Sequence, residues 1–354
     1  MFSKQSMPYN QDKNGGLTML DLSKIGKQIS VLRKEKGLTG EKLAEILQIS
    51  PQAISKWENG KCLPETMLLP ELAKALDCNI DTLLMPIDES NKIEENNKVR
   101  EYYENVNEHA RLDKQTLEFT RSKNIITRYL SNDNMEIADI GGGTGPYSFW
   151  LAEQGHKVHL LDVTQKHIEI AKKRSETINI PLASCICADA RKLPYQNESM
   201  DLILIMGALY HLQSQESRTK CLSEAFRVLK RGGYILCTVI SRYTSLISTL
   251  KWNLFHIYDI DTLKKIIETG KVEGFTFPQA YFHTPNEIIA ELSTAGFYNV
   301  HTIAVEGIAH AFGDYSLPAD ENESEQLLKC IEMIESKSEM IGASRNIIAV
   351  GKKG

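Results

Sequence analysis

Of the four glycines in residues 141–145, Gly141, Gly143 and Gly145 recur at every second position, after the apolar run at 136–140 and before a helix expected from Pro146. Glycine lets a chain turn tightly and lets a ligand reach bare backbone. The first N–H groups of the following helix then point at whatever occupies the loop. Two carboxylates flank this cradle. Asp139 stands one residue before the end of the run, and Asp162 closes the next one, KVHLLD, twenty-one residues after Gly141. At that separation a carboxylate can grip ribose hydroxyls. A dinucleotide fingerprint would place Gly or Ala at its sixth position, where this chain has Pro146. Further on, a third apolar segment ends at Asp189-Ala190 and a fourth at Met206-Gly207, just ahead of Tyr210 and His211. Tyrosine and histidine can take or give a proton.

These residues need a framework. From residue 99 onward, apolar strand-like runs alternate with helical stretches. That alternation predicts an α/β Rossmann-like domain over 99–354, doubly wound around a mainly parallel sheet. Two insertions, at 241–283 and 307–344, are expected to form a lid, because insertions at the C-terminal edge of such sheets commonly do. Tyr281 and His283 read as packing residues of that lid, and His156 and His159 as surface or packing residues around the second strand. Ser344-Arg345 has the chemistry to hold an anionic acceptor. Tyr102 or Tyr103, ahead of the first strand, can lie across the cradle.

The N-terminal part has a different texture. Residues 21–85 are dense in helical periodicity and 86–98 form a polar linker, PIDESNKIEENNK. The first helix puts Ile25, Ile29 and Leu32 on one face and stops at Gly37. Thr39 is placed to cap the second, whose Leu43, Ala44 and Leu47 face inward. Ser50 is placed as N-cap and Pro51 as first residue of the third. Ile54 and Trp57 bury its inner side, leaving Gln52, Ser55 and Lys56 outward. Leu68, Leu69, Leu72, Leu76, Ile80 and Leu83 are expected to close an all-α, five-helix core. Two short helices joined by a tight turn, the second with a polar outer edge, suit a DNA major groove.

Composition sets outer bounds. The 354 residues are 42% hydrophobic and 25% charged with a net charge of -5, which suits two globular domains and excludes a uniformly basic nucleic-acid coat. The 7 scattered cysteines point to reduced thiols. Cys185 and Cys187, the one close pair, read as core thiols, since free cysteine is usually buried and inert, and no metal site is expected. Residues 1–20 read as a flexible polar leader without the apolar run of a signal peptide, and no run reaches membrane-spanning length. A cytoplasmic address with no membrane partner follows.

Two resemblances sharpen this reading. The span LRKEKGLTGEKLAEILQISPQAISKWENGKCLPE resembles the Cro and lambda-repressor type of helix-turn-helix domain. The resemblance implies that Pro51, Gln52 and Lys56 face a DNA operator, with Gln suited to adenine and Lys to guanine edges or phosphates. It also implies an ion pair between Arg33 and Glu58. Gly40 departs from the phosphate-binding Gln common at its position. Basic and acidic residues nearly balance here, and a homodimer reading two half-sites is the usual remedy for modest affinity.

The form D-x-G-x-G-x-G, together with SCICADARKLPYQNESMDLILIMGALYHL, resembles class I S-adenosylmethionine-dependent methyltransferases. The resemblance implies that Asp139 serves the cofactor's amine, that Asp189 and the backbone of Ala190 hold adenine, and that Met206 lies where the fourth strand opens toward the methyl group. SEAFRVLKRGGYILCTVIS supplies a helix, an Arg-Gly-Gly turn and the fifth strand, while FYNVHTIAVEG and RNIIAVGKKG supply the final antiparallel pair. GALYHL, ISRYTSL and AYFHTPNEI are similar to a bacterial subgroup acting on small molecules, which makes Tyr210 and His211 the candidate catalytic residues. The expectation is a small-molecule methyltransferase with a DNA-binding domain for regulation or tethering. The alternative is a transcriptional regulator that only senses the cofactor or another metabolite. A DNA methyltransferase is disfavoured, because MGALYHL lacks the Asn/Asp-Pro-Pro-aromatic signature and no Pro-Cys nucleophile appears.

Overall fold

A computed structural model describes residues 9–11, 17–19, 22–78, 80–84, 116–131, 134–273, 279–313 and 316–354. The expected linker at 86–98 and the pair Tyr102 and Tyr103 lie outside the described residues. The chain divides into two compact units, residues 1–94 and 95–354. Within the expected loose leader, strands β1 (Tyr9–Gln11) and β2 (Leu17–Met19) pair antiparallel, Tyr9 opposite Met19. That departs from the expectation, although a lone two-stranded ladder is marginal in water.

The first unit packs α1 (Leu22–Glu35), α2 (Gly40–Ile46), α3 (Pro51–Glu58), α4 (Leu69–Ala75) and α5 (Ile80–Leu84) around Ile25, Ile29, Leu43, Ile54, Trp57, Leu72, Leu76 and Leu83. Its caps are local chemistry. Thr39 Oγ1 accepts from the Lys42 N–H at 3.1 Å, and Ser50 Oγ from the Ala53 N–H at 3.3 Å. A 3-10 turn at Thr66–Leu68 precedes α4, because Pro70 has no N–H to offer the carbonyl four residues back. Ile80 does not close the core as expected. It opens α5 and is 36% exposed.

One crossing in this unit is tighter than any pattern suggested. A Cβ on Gly26 would lie 2.2 Å from the Trp57 carbonyl oxygen, so α1 and α3 meet backbone to backbone. Arg33 locks the same pair of helices. Its Nε and Nη2 donate to Glu58 at 2.6 and 3.1 Å, and its Nη1 caps the Leu38 carbonyl.

The second unit begins, among the described residues, with α6 (Thr116–Thr127), followed by β3 (Glu136–Ile140), α7 (Pro146–Glu153), β4 (Lys157–Asp162), α8 (Gln165–Thr177) and β5 (Ser184–Cys187). The chain then crosses back to β6 (Met200–Ile205), α9 (Ala208–His211), α10 (Gln215–Val228) and β7 (Leu229–Ile240). Strands β3 to β7 are parallel, and β10 (Tyr298–Ala304) and β11 (Asn346–Lys352) add an antiparallel edge, giving the order β10-β11-β7-β6-β3-β4-β5. The central strands are buried on both faces, which is why Leu202 to Ile205 run apolar without alternation. Order reverses between β3 and β6, and the crevice at their C-terminal ends is where ligands bind in such sheets.

Two expectations are corrected here. Arg231-Gly232-Gly233 is no free turn. Residues 229–240 form one strand, in which pairing jumps from Met200–Leu229 to Leu202–Tyr234, and Gly232, at φ +81°, donates to the Lys353 carbonyl. The extra residues are absorbed as a bulge. Nor are Cys185 and Cys187 core thiols. Strand β5 is the sheet edge, covered on one side only, so Cys185 is half-buried and Cys187 exposed.

The first insertion comprises α11 (Thr244–Trp252), α12 (Ile260–Thr269), β8 (Lys271–Glu273) and β9 (Gln279–Tyr281), before α13 (Pro285–Thr294). It leaves and rejoins the core at one point, where Ser241 bridges His283 at the C-terminal end of β7. Its apolar side, including Leu263, Ile266, Val272 and Phe282, packs on Tyr210 and Ile240. The second insertion folds as α14 (Ala309–Phe312), α15 (Glu321–Ile334) and α16 (Ser338–Ile341), and Arg121 of α6 pairs with Glu332 and Glu335 at the C-terminal end of α15. Among the described residues no helix is long and apolar enough to cross a membrane.

Candidate functional site

The glycine cradle sits at the switch point, between β3 and α7. Gly141 donates to the Leu161 carbonyl at 2.6 Å, tying the loop to the neighbouring strand. Gly143 donates to Asp162 Oδ2 at 2.9 Å, while Oδ1 of the same carboxylate accepts from the Thr164 N–H at 2.8 Å. A Cβ on Gly143 would meet nothing closer than His167 Nδ1 at 3.8 Å, so this part of the loop offers bare backbone. Gly145, at φ +84°, is the left-handed residue that launches α7.

Asp139 lies beneath the loop and is fully buried. Its Oδ2 accepts from Ser148 Oγ at 2.6 Å, and its Oδ1 has no hydrogen-bond partner among the described residues. Burial pushes its carboxyl up to about 6, helped by the nearby charge of Asp162 and opposed by the Ser148 hydrogen bond. Such a carboxylate is under-solvated and gains from any cation brought to it.

At the end of β5, Asp189 is held by Arg191, whose Nη2 donates to Oδ2 at 2.6 Å, and half-buried Ala190 stands between them. Met206, past the end of β6, is half-buried and accepts from Thr238 Oγ1 at 3.5 Å. Tyr210 and His211 are the last two residues of α9 and are both buried, their rings 4.6 Å apart. A Cβ on Gly207 would lie 3.5 Å from Tyr210 Oη and 3.7 Å from the Gly141 carbonyl oxygen, which places that hydroxyl beside the cradle. Burial pushes His211 down to about 4, although a hydrogen bond with the Gln279 backbone and the Asp162 charge pull the other way. Its imidazole is neutral at physiological pH.

Two outer candidates serve the framework. His283 is buried against Glu291 at 3.3 Å in a network where Arg218 pairs with Glu291 and stacks 3.7 Å over the Tyr281 ring. Ser344 is not available to an anion. Its Oγ bonds Glu306 at 2.9 Å and accepts from the Glu306 and Gly307 N–H groups, so it ties the residues after β10 to those before β11. His159 spans Glu136 at 2.8 Å and Ser184 at 2.9 Å, and His156 accepts from the Met135 N–H.

Several contributors escaped the sequence reading. Gly142 is one, since a Cβ there would lie 2.5 Å from Asp139 Oδ2 and from Leu160 Cδ1. The others are Ser148, which holds Asp139, His167, 3.4 Å from Asp162, and Arg191. The unbroken run of three glycines was the visible signal for Gly142; the others carry none, because their partners are set by the fold.

In the first unit, Pro51, Gln52, Ser55 and Lys56 lie exposed along one edge of α3. Asn59 Nδ2 reaches back to the Ser55 carbonyl at 2.8 Å and to its Oγ at 3.3 Å, fixing the C-terminal turn of that edge.

A doubly wound sheet with a glycine loop after its first strand, and acids at the ends of the next two, defines a Rossmann-like domain for a nucleoside cofactor. The family comparison agrees and narrows it. A methyltransferase domain matches residues 138–237 and a helix-turn-helix domain matches residues 29–83. The chain carries both. It is similar to the ubiquinone/menaquinone biosynthesis C-methyltransferase of Bartonella bacilliformis, 26% identical over 172 residues, covering 47% of this chain and 65% of that protein. The mitochondrial 2-methoxy-6-polyprenyl-1,4-benzoquinol methylase of Caenorhabditis elegans is 26% identical over 174 residues, covering 47% of this chain and 60% of that protein. The chain thus spans less than two thirds of the length of these curated relatives. Among solved structures, a possible histamine N-methyltransferase from Thermotoga maritima has a TM-score of 0.47 at 18% identity, covering 72% of this chain and 98% of that one.

Proposed function

We propose that the chain is an S-adenosylmethionine-dependent methyltransferase acting on a small molecule, with an N-terminal domain that binds a DNA operator for regulation or tethering. The observation that carries this reading is the joint between Gly143 and Asp162, near the buried Asp139, whose Oδ1 has no hydrogen-bond partner among the described residues. The residues fit the cofactor. Asp139 suits an ammonium group directly or through water, Asp162 suits ribose hydroxyls, and Asp189 with the Ala190 backbone suits adenine. The backbone of Gly141, Gly143 and Gly145 and the side chain of Met206 would line the remainder. Bound there, S-adenosylmethionine supplies an electrophilic methyl group on a sulfonium.

The work left to the chain is alignment and exclusion of water. The lid cluster on Tyr210 provides the apolar wall, and the Tyr210 hydroxyl beside the cradle can orient an acceptor. His211, with its pKa held near 4, is a weak proton acceptor and a good neutral hydrogen-bonding group. The Bartonella relative is named for C-methylation in ubiquinone/menaquinone biosynthesis, and an apolar acceptor of that kind suits such a wall. A cytoplasmic address and a homodimer reading two half-sites through α3 belong to the same reading.

Calorimetric titration of the full chain with S-adenosylmethionine tests it. Binding, followed by methyl transfer to a member of a phenol and quinol panel, is the expected result. A folded protein that does not bind the cofactor would overturn the reading.

A further inference from the structure

Ser148, the third residue of α7, holds Asp139 from the helix side. Its Oγ donates to Asp139 Oδ2 at 2.6 Å, and both residues are fully buried. Its backbone N–H bonds the same carboxylate. That N–H lies in the first turn, where α7 has no carbonyl of its own to offer it. From the loop side, a Cβ on Gly142 would lie 2.5 Å from Oδ2, so this oxygen is enclosed between Ser148 and the glycines. Oδ1 has no hydrogen-bond partner among the described residues.

Burial penalises a charged carboxylate, and a hydrogen bond donated to the ionised form works against that penalty. Ser148 supplies both such donors. They are needed here, because burial pushes Asp139 up to about 6 even with Ser148 in place, and the Asp162 charge on β4 adds to the push. Two other titratable groups lie close by. Tyr195 keeps its proton, its hydroxyl pushed up to about 12 by burial, and His167 of α8 stands 3.4 Å from Asp162.

We propose that Ser148 is a positioning residue that keeps Asp139 an anion for the ammonium group of the cofactor, and so sets the pH range over which the amino-acid tail is held. This rests on the cofactor reading above. An ionised Asp139 attracts the ammonium, whereas a protonated one offers it no counter-charge. The Ser148 hydroxyl therefore acts on the tail and not on the adenosine end. Charge changes at Asp162 or His167 act on the ribose, and so on every adenosyl ligand alike.

The test is calorimetric titration of the full chain, from about pH 5.5 to about pH 8.5, with S-adenosylhomocysteine and with methylthioadenosine, which lacks the amino-acid tail. The wild-type preference for the tailed ligand is expected to fall as pH drops through about 6. In Ser148→Ala that fall is expected about one pH unit higher, the scale of one hydrogen bond to a charged group. S-adenosylhomocysteine then binds about fivefold more weakly than to wild type at about pH 6 and within about twofold of it at about pH 8.5. Methylthioadenosine is expected to bind both proteins equally. Ser148→Cys, close in size and a weaker donor, is expected to shift the profile the same way by less, and serves if Ser148→Ala does not fold. Equal weakening of both ligands at every pH would overturn the positioning role and leave the cofactor reading intact. A wild-type preference that does not change with pH would remove Asp139 from the amine, and the proposal with it. A folded wild type that binds neither ligand would overturn the cofactor reading itself.

Discussion

The backbone N–H of Gly143 donates to Oδ2 of Asp162 at 2.9 Å, joining the glycine loop to the acid on the adjacent strand. The carboxylate proposed to hold a ribose therefore also holds the loop in shape. Replacing Asp162 by Ala is expected to weaken S-adenosylmethionine binding at least 100-fold, because it removes a ligand contact and a loop support together. Asp162→Asn keeps an acceptor for Gly143 and is expected to lose less, about tenfold. Calorimetry of the two variants separates the roles; equal losses would show that loop support contributes nothing.

Asp139 predicts a pH dependence of opposite sign for stability and for binding. Its carboxyl is raised to about 6 from an ordinary value near 3.8, so the folded chain holds this proton more tightly than the unfolded one. The contribution of this group to stability is therefore greatest below about pH 4 and falls by about 2–3 kcal/mol as pH rises to about 6. Binding of a cationic amine runs the other way, since it needs the ionised form, and affinity is expected to fall as pH drops below about 6. Asp139→Asn is expected to flatten both profiles, in urea melts and in cofactor titrations.

The helix-turn-helix unit depends on one crossing. Glu58→Ala is expected to cost it about 1.5–3 kcal/mol, because Arg33 would keep its charge at a half-buried site with its partner gone. Gly26→Ala is expected to cost more, since the added Cβ would lie 2.2 Å from a backbone oxygen that no rotamer can move. Thermal melts of the full chain that show no change in its first transition for either variant would contradict this account.

On DNA, the exposed edge of α3 separates two roles. Gln52→Ala is expected to relax base preference at one position of the selected site, by about 1–3 kcal/mol. Lys56→Ala is expected to weaken all sequences together and to reduce the salt slope by about one counterion if it meets phosphate, or to relax a guanine preference if it meets a base. Selection of bound sequences followed by titrations at several salt concentrations reads both.

Much of this protein was determined by sequence alone, wherever the physics is local. The caps at Thr39 and Ser50, the stop at Gly37, the start of α7 at Pro146 and the strand ends at Ile140 and Asp162 follow from neighbours within a few positions. Helix faces and buried strands followed from periodicity, which fails only at edges such as Ile80 and Cys187, where cover depends on distant segments. The tertiary structure alone decided the rest. That Arg191 takes most of Asp189, that Ser344 is consumed by Glu306, and that Gly26 must be glycine all depend on which elements the fold brings together. A side chain's type states what it can bond; only the packed chain states which bonds are already taken, and so which remain for a ligand.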